Sequence, residues 1–528
     1  MLEPPVPMRD SKRRQRMVLA AALILLVSAA LRLYQVATPA EYMFDEVYYA
    51  KDAKAIVDGR VGPKAPLVWA GGDEISWPHP EMGKFAIAAG ILVFGDRAFG
   101  WRFPAVVAGL VMLALVYPLA RRLGLPPAWA LIALLFAAAD PLGIAQSRIA
   151  TLDVFVATWT VLCIYLALRY VQDGRRRVWL LLSALAGGMA VGTKWSGALA
   201  LLVVGVILLL VWARDYRAAR KPRAGAVDDD GVDATVAVPP AQPGPSLVKA
   251  LPSALIAAAI LVLIPLGVWF VSYTQYFAAG HTWSQFVELQ RQAYYFNIHL
   301  KTVHSYASPS YTWIFDYRPI WYYYQGGHTI RGVIAMGNPF LWWLAVAGAI
   351  AAVVLAALRR SYLLLPTVII VALLYVPWFG ASRTSFLYYM TPVAPFLAVL
   401  AAGLLLVFAG RAELPRHGAW VVAGAAVATA ALWDTIAAAG ERAAGVTPAM
   451  RSFGAGWAAV GVGVVAAAAV LTLLLLADVP RVRAARPYIA LALAGVVVGI
   501  VFAFIPIVLN IPVNPAHFSH MTWFRSWI

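Results

Sequence analysis

The sequence predicts an all-α polytopic membrane protein, and three observations carry that prediction. Of the 528 residues, 62% are hydrophobic and only 13% charged, roughly half the charged share of an ordinary soluble domain. The apolar residues come in long blocks rather than at amphipathic spacing, and a block of about 20 residues matches the thickness of a hydrocarbon core. The basic residues outweigh the acidic ones to give a formal charge of +17, and they sit in short clusters at the ends of those blocks. A bilayer explains such clusters better than a polyanion does, so no nucleic-acid partner is expected.

The first block, about 17–36, follows Lys12, Arg13, Arg14 and Arg16. It is longer than a signal-peptide core and no small-residue cleavage site follows it, so it reads as an uncleaved first helix with residues 1–16 as a cytoplasmic tail. Further blocks lie near 99–119, 127–144, 152–170, 178–193, 196–213, 250–272, 340–358, 362–379, 386–409, 419–438, 454–476 and 488–509. With the N-terminus inside, the turns assigned to the cytoplasm carry Arg121/Arg122, Arg175 to Arg177, the Arg214 to Arg223 cluster, Arg359/Arg360, Arg411/Arg416 and Arg481/Arg483/Arg486. That asymmetry sets the orientation and leaves the C-terminus extracytoplasmic. Cys163, the single cysteine, lies inside an apolar run and reads as a packing residue.

The organisation expected is an N-terminal membrane module over 17–213, a flexible cytoplasmic linker over 214–249, one helix over 250–272, a C-terminal module over 340–509 and an outer tail over 510–528. Asp228 to Asp230 in the linker read as a solvated loop rather than a metal site, since no second ligand cluster shares that side. Two long outer segments remain, 37–98 and 273–339, and they hold most of the chemistry.

In the first segment Asp45 and Glu46 stand just beyond the first helix, flanked by Phe44, Val47, Tyr48 and Tyr49. Carboxylates partly desolvated beside aromatic rings gain basicity and become candidates for proton transfer. Neighbouring side chains on a helix point about 100° apart, so the two acids are expected to divide their roles. Lys84, after His79-Pro80, opens the apolar run Phe85 to Phe94, too short to span and expected to lie in the interface as a roof over the carboxylates. The second segment is rich in aromatics, including Trp313, Tyr317, Trp321 and Tyr322 to Tyr324 around Arg318. Such rings build interface belts, and Arg318 and Tyr322 are additionally candidate cleft residues.

The pattern FDEVYYAK followed by HPEMGK resembles the protein O-mannosyltransferase family, whose first outer loop carries an Asp-Glu pair and a His-Pro segment ending in Lys. The resemblance continues in order through Arg102, RIATLD (Arg148 to Asp153), GTKWSG (Gly192 to Gly197), RPIWYYY (Arg318 to Tyr324) and MGNPFLWW (Met336 to Trp343). FLYYMTPVAPF (Phe386 to Phe396) and WFRSWI (Trp523 to Ile528) are looser matches. It implies a GT-C-type glycosyltransferase fold with about 11–13 transmembrane helices. It also implies a plasma-membrane enzyme that transfers mannose from a polyprenyl-phosphate mannose to Ser/Thr hydroxyls of secreted polypeptides, with its active site on the extracytoplasmic face. Asp45 would be the base of an inverting displacement and Glu46 a neighbour that holds acceptor, donor or the loop. A departing lipid phosphate needs cationic partners, and the matching segments offer Arg102, Lys194, Lys84 and Arg148. His79 and Asp153 join Arg318 and Tyr322 as substrate-cleft residues.

Two departures are visible. Eukaryotic members carry a large soluble domain in the second long loop, which is short here, as in a bacterial member. Family members have about eleven spans, and the Ala/Gly-rich pair 419–438 and 454–476 is the surplus. No obligatory metal or other cofactor is expected, because the acids able to join Asp45, namely Glu46, Asp153 and Asp316, have no diagnostic spacing. The nearest alternative is a GT-C enzyme acting on a lipid or glycolipid acceptor, opposed by the ordered motif series. A transporter would place ionisable groups at the bilayer midplane and show paired repeats; neither feature is legible.

Overall fold

The computed structural model describes residues 4, 10–59, 78–220, 247–359, 361–410, 413–443, 479–522 and 525–527. Its first half comprises α1 (Ser11–Leu33), α2 (Glu46–Val57), α3 (Met82–Phe94), α4 (Ala98–Arg122), α5 (Pro127–Ala138), α6 (Pro141–Gln146), α7 (Asp153–Gln172), α8 (Arg177–Thr193), α9 (Ala198–Arg220) and α10 (Leu247–Val271). The second half comprises α11 (Thr274–Ala278), α12 (Trp283–His299), α13 (Pro339–Arg359), α14 (Leu365–Tyr375), α15 (Ala394–Ala409), α16 (Gly418–Ala443), α17 (Pro480–Val508) and α18 (Pro515–Met521). Among the described residues, α1, α4, α7, α9, α10, α13 and α17 contain stretches long and apolar enough to cross a membrane. Shorter apolar helices such as α8 and α15 pack among them.

Twelve of the thirteen apolar blocks coincide with helices. The block at 454–476 lies outside the described residues, as do most of the 214–249 linker and its Asp228 to Asp230. Where a block is interrupted, proline is the reason. The block 127–144 breaks at Asp140-Pro141, because a residue before proline is driven out of the α region. Asp140 then starts α6 afresh, its Oδ1 accepting from the Leu142 N–H at 3.3 Å. The block 386–409 likewise resolves into a 3₁₀ turn, Leu387–Met390, and α15, with Pro392 and Pro395 at the junction.

The helices differ in what covers them. Leu23 and Leu26 of α1 are 61% and 69% exposed, as expected of a helix whose apolar surface faces lipid tails. In contrast α15 is buried along nearly its whole length and forms, with α5, α13 and α17, the centre of the largest apolar cluster. Gly90 and Gly100 allow α3 to meet the start of α4 at backbone distance: a Cβ on Gly90 would stand 2.3 Å from the Gly100 carbonyl oxygen.

One addition to the helical class is a hairpin in the second long segment. Strands β1 (Ile320–Gln325) and β2 (Arg331–Ala335) pair antiparallel, Ile320 opposite Ala335, with a bulge between Trp321 and Tyr323. The chain end closes over it through an Ile330–Val513 bridge and through the buried Trp527. The C-terminal ends of α1, α8, α10 and α14 and the N-terminal ends of α4, α7, α13 and α15 adjoin these long segments, and there the charged residues of both halves come together.

Candidate active site

The site begins at the turn from α1 into α2. Glu46 opens α2 and is turned entirely inward, with no exposed surface. Its carboxylate accepts from Arg102 Nε and Nη2, both at 2.8 Å, and from the backbone N–H groups of Met43 and Ala150, both at 2.9 Å. Four charge-assisted bonds fill its lone pairs. With these bonds made, Glu46 holds the loop, one of the three roles expected of it beside Asp45.

Three of the four cations expected at a phosphate are committed elsewhere. The five N–H bonds of Arg102 go to Glu46 and to the carbonyls of Val36, Pro39 and Glu41, at 2.6–3.1 Å, so no donor remains. Arg148 closes the last turn of α1, its Nη1 donating to Leu31, Arg32 and Tyr34 carbonyls. Lys84 is fully buried between Asp52 at 3.0 Å and Glu81 at 3.2 Å. The physical reason is common: a cation at membrane depth is costly unless partnered, and these three are partnered inside the protein.

Lys194 is different. It stands in extended backbone between α8 and the 3₁₀ turn Trp195–Gly197, which aims its side chain at the start of α7. Its Nζ donates to Asp153 Oδ1 at 3.0 Å and Oδ2 at 3.2 Å and lies 4.6 Å from the Tyr389 ring centroid. Asp153 takes at most two of its three donors. Beside it lies a cavity of about 460 Å³ walled by His79, Ser196, Asn297, Trp378, Arg383 and Tyr389. His79 is buried with its Nδ1 unpartnered among the described residues, and burial together with Lys194, Arg383 and Lys84 holds it well below the ordinary histidine range. It is a neutral hydrogen-bonding group at the cavity wall.

Asp45 occupies the N-cap position of α2, yet its carboxylate caps nothing. It is half-buried, keeping part of its surface open. Desolvation by burial pushes its pKa up to about 7, with Lys194 pulling it down and Asp153 pushing it further up. The two adjacent acids thus part: Glu46 is tied to Arg102 and two backbone N–H groups, while Asp45 sits within electrostatic reach of the Lys194–Asp153 pair with its oxygens uncommitted among the described residues. Tyr322 of β1 joins from the other half of the chain, buried, its hydroxyl unpartnered among the described residues and its pKa raised by burial and by the nearby Asp153 and Asp45. Arg318 does not join: its Nε donates to the Ser305 carbonyl and it is not among the residues walling the cavity.

Sequence reasoning passed over Arg383. Its Nη1 donates to Asn297 Oδ1 at 2.6 Å, and among the described residues no carboxylate pairs with it. With Lys194 neutralised by Asp153, Arg383 supplies the cavity's net positive charge. Asn297 also donates to the Pro78 carbonyl at 3.0 Å, tying α12, the His79 segment and the 376–387 loop together. The available signal was small: an arginine in ASRTSF, just before the FLYYM string.

The profile described as dolichyl-phosphate-mannose-protein mannosyltransferase matches residues 78–227, and that of the C-terminal four-helix region of protein O-mannosyltransferases matches 282–436. A polyprenol-phosphate-mannose–protein mannosyltransferase of Mycolicibacterium smegmatis is 27% identical over 450 residues, 73% of this chain and 81% of that protein. An undecaprenyl phosphate-α-4-amino-4-deoxy-L-arabinose arabinosyl transferase of Pseudomonas aeruginosa is 35% identical over 187 residues, only 33% of this chain and 31% of that protein. In fold, the chain superposes on the Saccharomyces cerevisiae protein O-mannosyltransferase Pmt1–Pmt2 complex with a TM-score of 0.69 at 13% identity, covering 100% of this chain and 95% of that one. The two profiles fall on opposite halves of the chain, the halves whose loops meet at Lys194 and Arg383, and the chain belongs to the protein O-mannosyltransferase family.

Proposed function

We propose that this protein transfers mannose from a polyprenyl-phosphate mannose to the hydroxyl of a Ser or Thr in a polypeptide. The observation that carries the reading is Asp45: an uncommitted, half-buried carboxylate beside the Lys194–Asp153 pair. A hydroxyl is a poor nucleophile at neutral pH, and a base whose pKa lies near the working pH is best placed to take its proton. The acceptor oxygen forms its bond to the anomeric carbon while its proton passes to Asp45. The bond from that carbon to the phosphate oxygen breaks on the opposite side, inverting the centre, and the electron pair leaves with the polyprenyl phosphate.

Charge then grows on the phosphate. Lys194 and Arg383 are the cations placed to meet it, with Ser196 and His79 as neutral donors at the cavity wall. The aromatic rings of Trp378 and Tyr389 give the sugar or the first isoprene units apolar contact. The clustering of arginines on the turns away from this site supports an active site on the extracytoplasmic face of the plasma membrane, with the polypeptide reached as it is secreted.

The test is transfer itself. Purified protein incubated with radiolabelled polyprenyl-phosphate mannose and a Ser/Thr/Pro-rich peptide is expected to label the peptide. Label confined to lipid would establish the other reading, a glycolipid-forming enzyme of the same fold.

A further inference from the structure

Phe44 has a backbone φ of +46°, the left-handed region that a bulky side chain seldom occupies without a compensating constraint. Two constraints hold it. On the main-chain side, the Glu46 carboxylate accepts from the Met43 N–H while the Glu46 N–H donates to the Met43 carbonyl, both at 2.9 Å, so the residues on either side are pinned to the Arg102 fork. On the side-chain side, the Phe44 ring lies 5.1 Å from Tyr322 and 6.1 Å from both His304 and Tyr388. His304 in turn meets Phe386 edge-on at 5.1 Å. These rings come from the second long segment and from the 386–390 turn, so Phe44 is where the C-terminal half grips the residue preceding Asp45.

We propose that Phe44 is the positioning residue for Asp45: its ring, boxed by Tyr322, Tyr388 and His304, holds the left-handed turn that presents the carboxylate and keeps water from it. This rests on Asp45 being the base. Without the ring the turn relaxes toward ordinary backbone, the carboxylate swings and its surroundings fill with solvent. The charged and titratable groups that face Asp45, Lys194, Asp153, Tyr49, Tyr322 and Tyr388, stay in place, so a change in its titration reports solvation and aim rather than loss of a partner.

The experiment uses the full-length protein in lipid nanodiscs with polyprenyl-phosphate mannose and a Ser/Thr peptide. Phe44→Leu is expected to lower kcat on the order of 10- to 100-fold, the cost of an ångström-scale misplacement, with KM for both substrates unchanged. The acid limb of kcat is expected to move to lower pH as water reaches the carboxylate. Phe44→Gly, which permits the backbone angle but removes the ring, should be equally slow, and Phe44→Tyr should keep most of the rate. His304→Leu opens the box from its far side and should shift the limb in the same direction with a smaller loss; it carries the test if Phe44→Leu does not fold. Wild-type kcat in Phe44→Leu, or a rate loss with an unmoved limb, overturns the proposal. Asp45→Asn run alongside separates the two readings: transfer persisting in it removes Asp45 as base, whereas a dead Asp45→Asn beside a wild-type Phe44→Leu removes only the positioning role.

Discussion

Glu46 and Arg102 close on each other through two parallel 2.8 Å hydrogen bonds, Nε to Oε1 and Nη2 to Oε2, with neither side chain exposed. The remaining Arg102 donors tie the chain from Val36 to Glu41 onto α4. Removing one member strands the other as a buried charge, a loss of about 3–5 kcal/mol. Arg102→Ala should therefore lower thermal stability in detergent sharply and reduce the yield of inserted protein. Arg102→Lys should recover little, because an ammonium cannot make the fork. A thermal midpoint of Arg102→Ala equal to wild type, with activity lost, would instead return Arg102 to the phosphate.

Asp45 gives the pH dependence. As a base it must be ionised, and with its pKa raised to about 7 by burial the transfer rate should climb through neutrality and level off above it. Replacing it with Asn should cost about 10²- to 10⁴-fold in kcat. The stability sign runs the other way. A carboxyl whose pKa is higher folded than unfolded favours the folded state while protonated and loses that benefit as pH rises from the ordinary carboxylate range to about 7. Asp45→Asn should thus be at least as heat-stable as wild type above pH 7. A less stable variant would mean that Asp45 makes a structural contact as an anion.

Lys194 and Arg383 should separate kinetically. Arg383, unpaired with any described carboxylate and held by Asn297, contributes a net charge to the cavity in the ground state and in the transition state alike. Arg383→Gln is expected to raise KM for the lipid donor about tenfold, in the range of one charge-assisted contact. Lys194→Gln should reduce kcat more than KM, because it also releases Asp153 beside Asp45. Initial rates over a donor titration distinguish the two; equal effects on both constants from both variants would argue against a shared phosphate.

How far the sequence led is instructive at particular residues. Apolar length found the helices, since hydrophobic matching to a bilayer needs no tertiary knowledge, and it failed only in detail where Asp140-Pro141 and Pro392 reset the backbone. The Asp45 neighbourhood was legible because two acids beside aromatic rings are chemically conspicuous. The cations were not. Arg102, Arg148 and Lys84 look identical in sequence to a ligand-facing arginine or lysine, and only the packed structure shows that carbonyls at the end of α1, Glu46, Asp52 and Glu81 already hold them. Arg383 escaped for the converse reason: nothing local marks it, and its position is made by Asn297 from a helix more than 80 residues earlier.

Metal removal is a further check on the charge assignment. Arg383 supplies net positive charge and Lys194 a hydrogen-bonding ammonium for a departing phosphate, so turnover should be unchanged after exhaustive chelation and dialysis. Activity lost with chelator and restored by a divalent ion would show that these side chains are insufficient and that a metal shares the phosphate.

The end of the chain makes a structural prediction as well. Trp527 is fully buried; its Nε1 donates to the Asp316 carbonyl at 2.8 Å, and its own carbonyl accepts from Trp321 Nε1 at 2.6 Å. Asp316 Oδ1 in turn accepts from the Gly337 N–H at 3.0 Å, at the entry to α13. The tail therefore locks β1, which carries Tyr322, to the second membrane half. Trp527→Ala leaves a large cavity and an indole donor on Trp321 without its acceptor geometry, a loss of about 3–5 kcal/mol for such a truncation. Because the hairpin loosens before the helices do, protease cleavage should appear first between residues 317 and 335, and Trp527→Phe should recover packing but not the bond to Asp316. Cleavage confined to other loops would mean that the tail does not hold the hairpin.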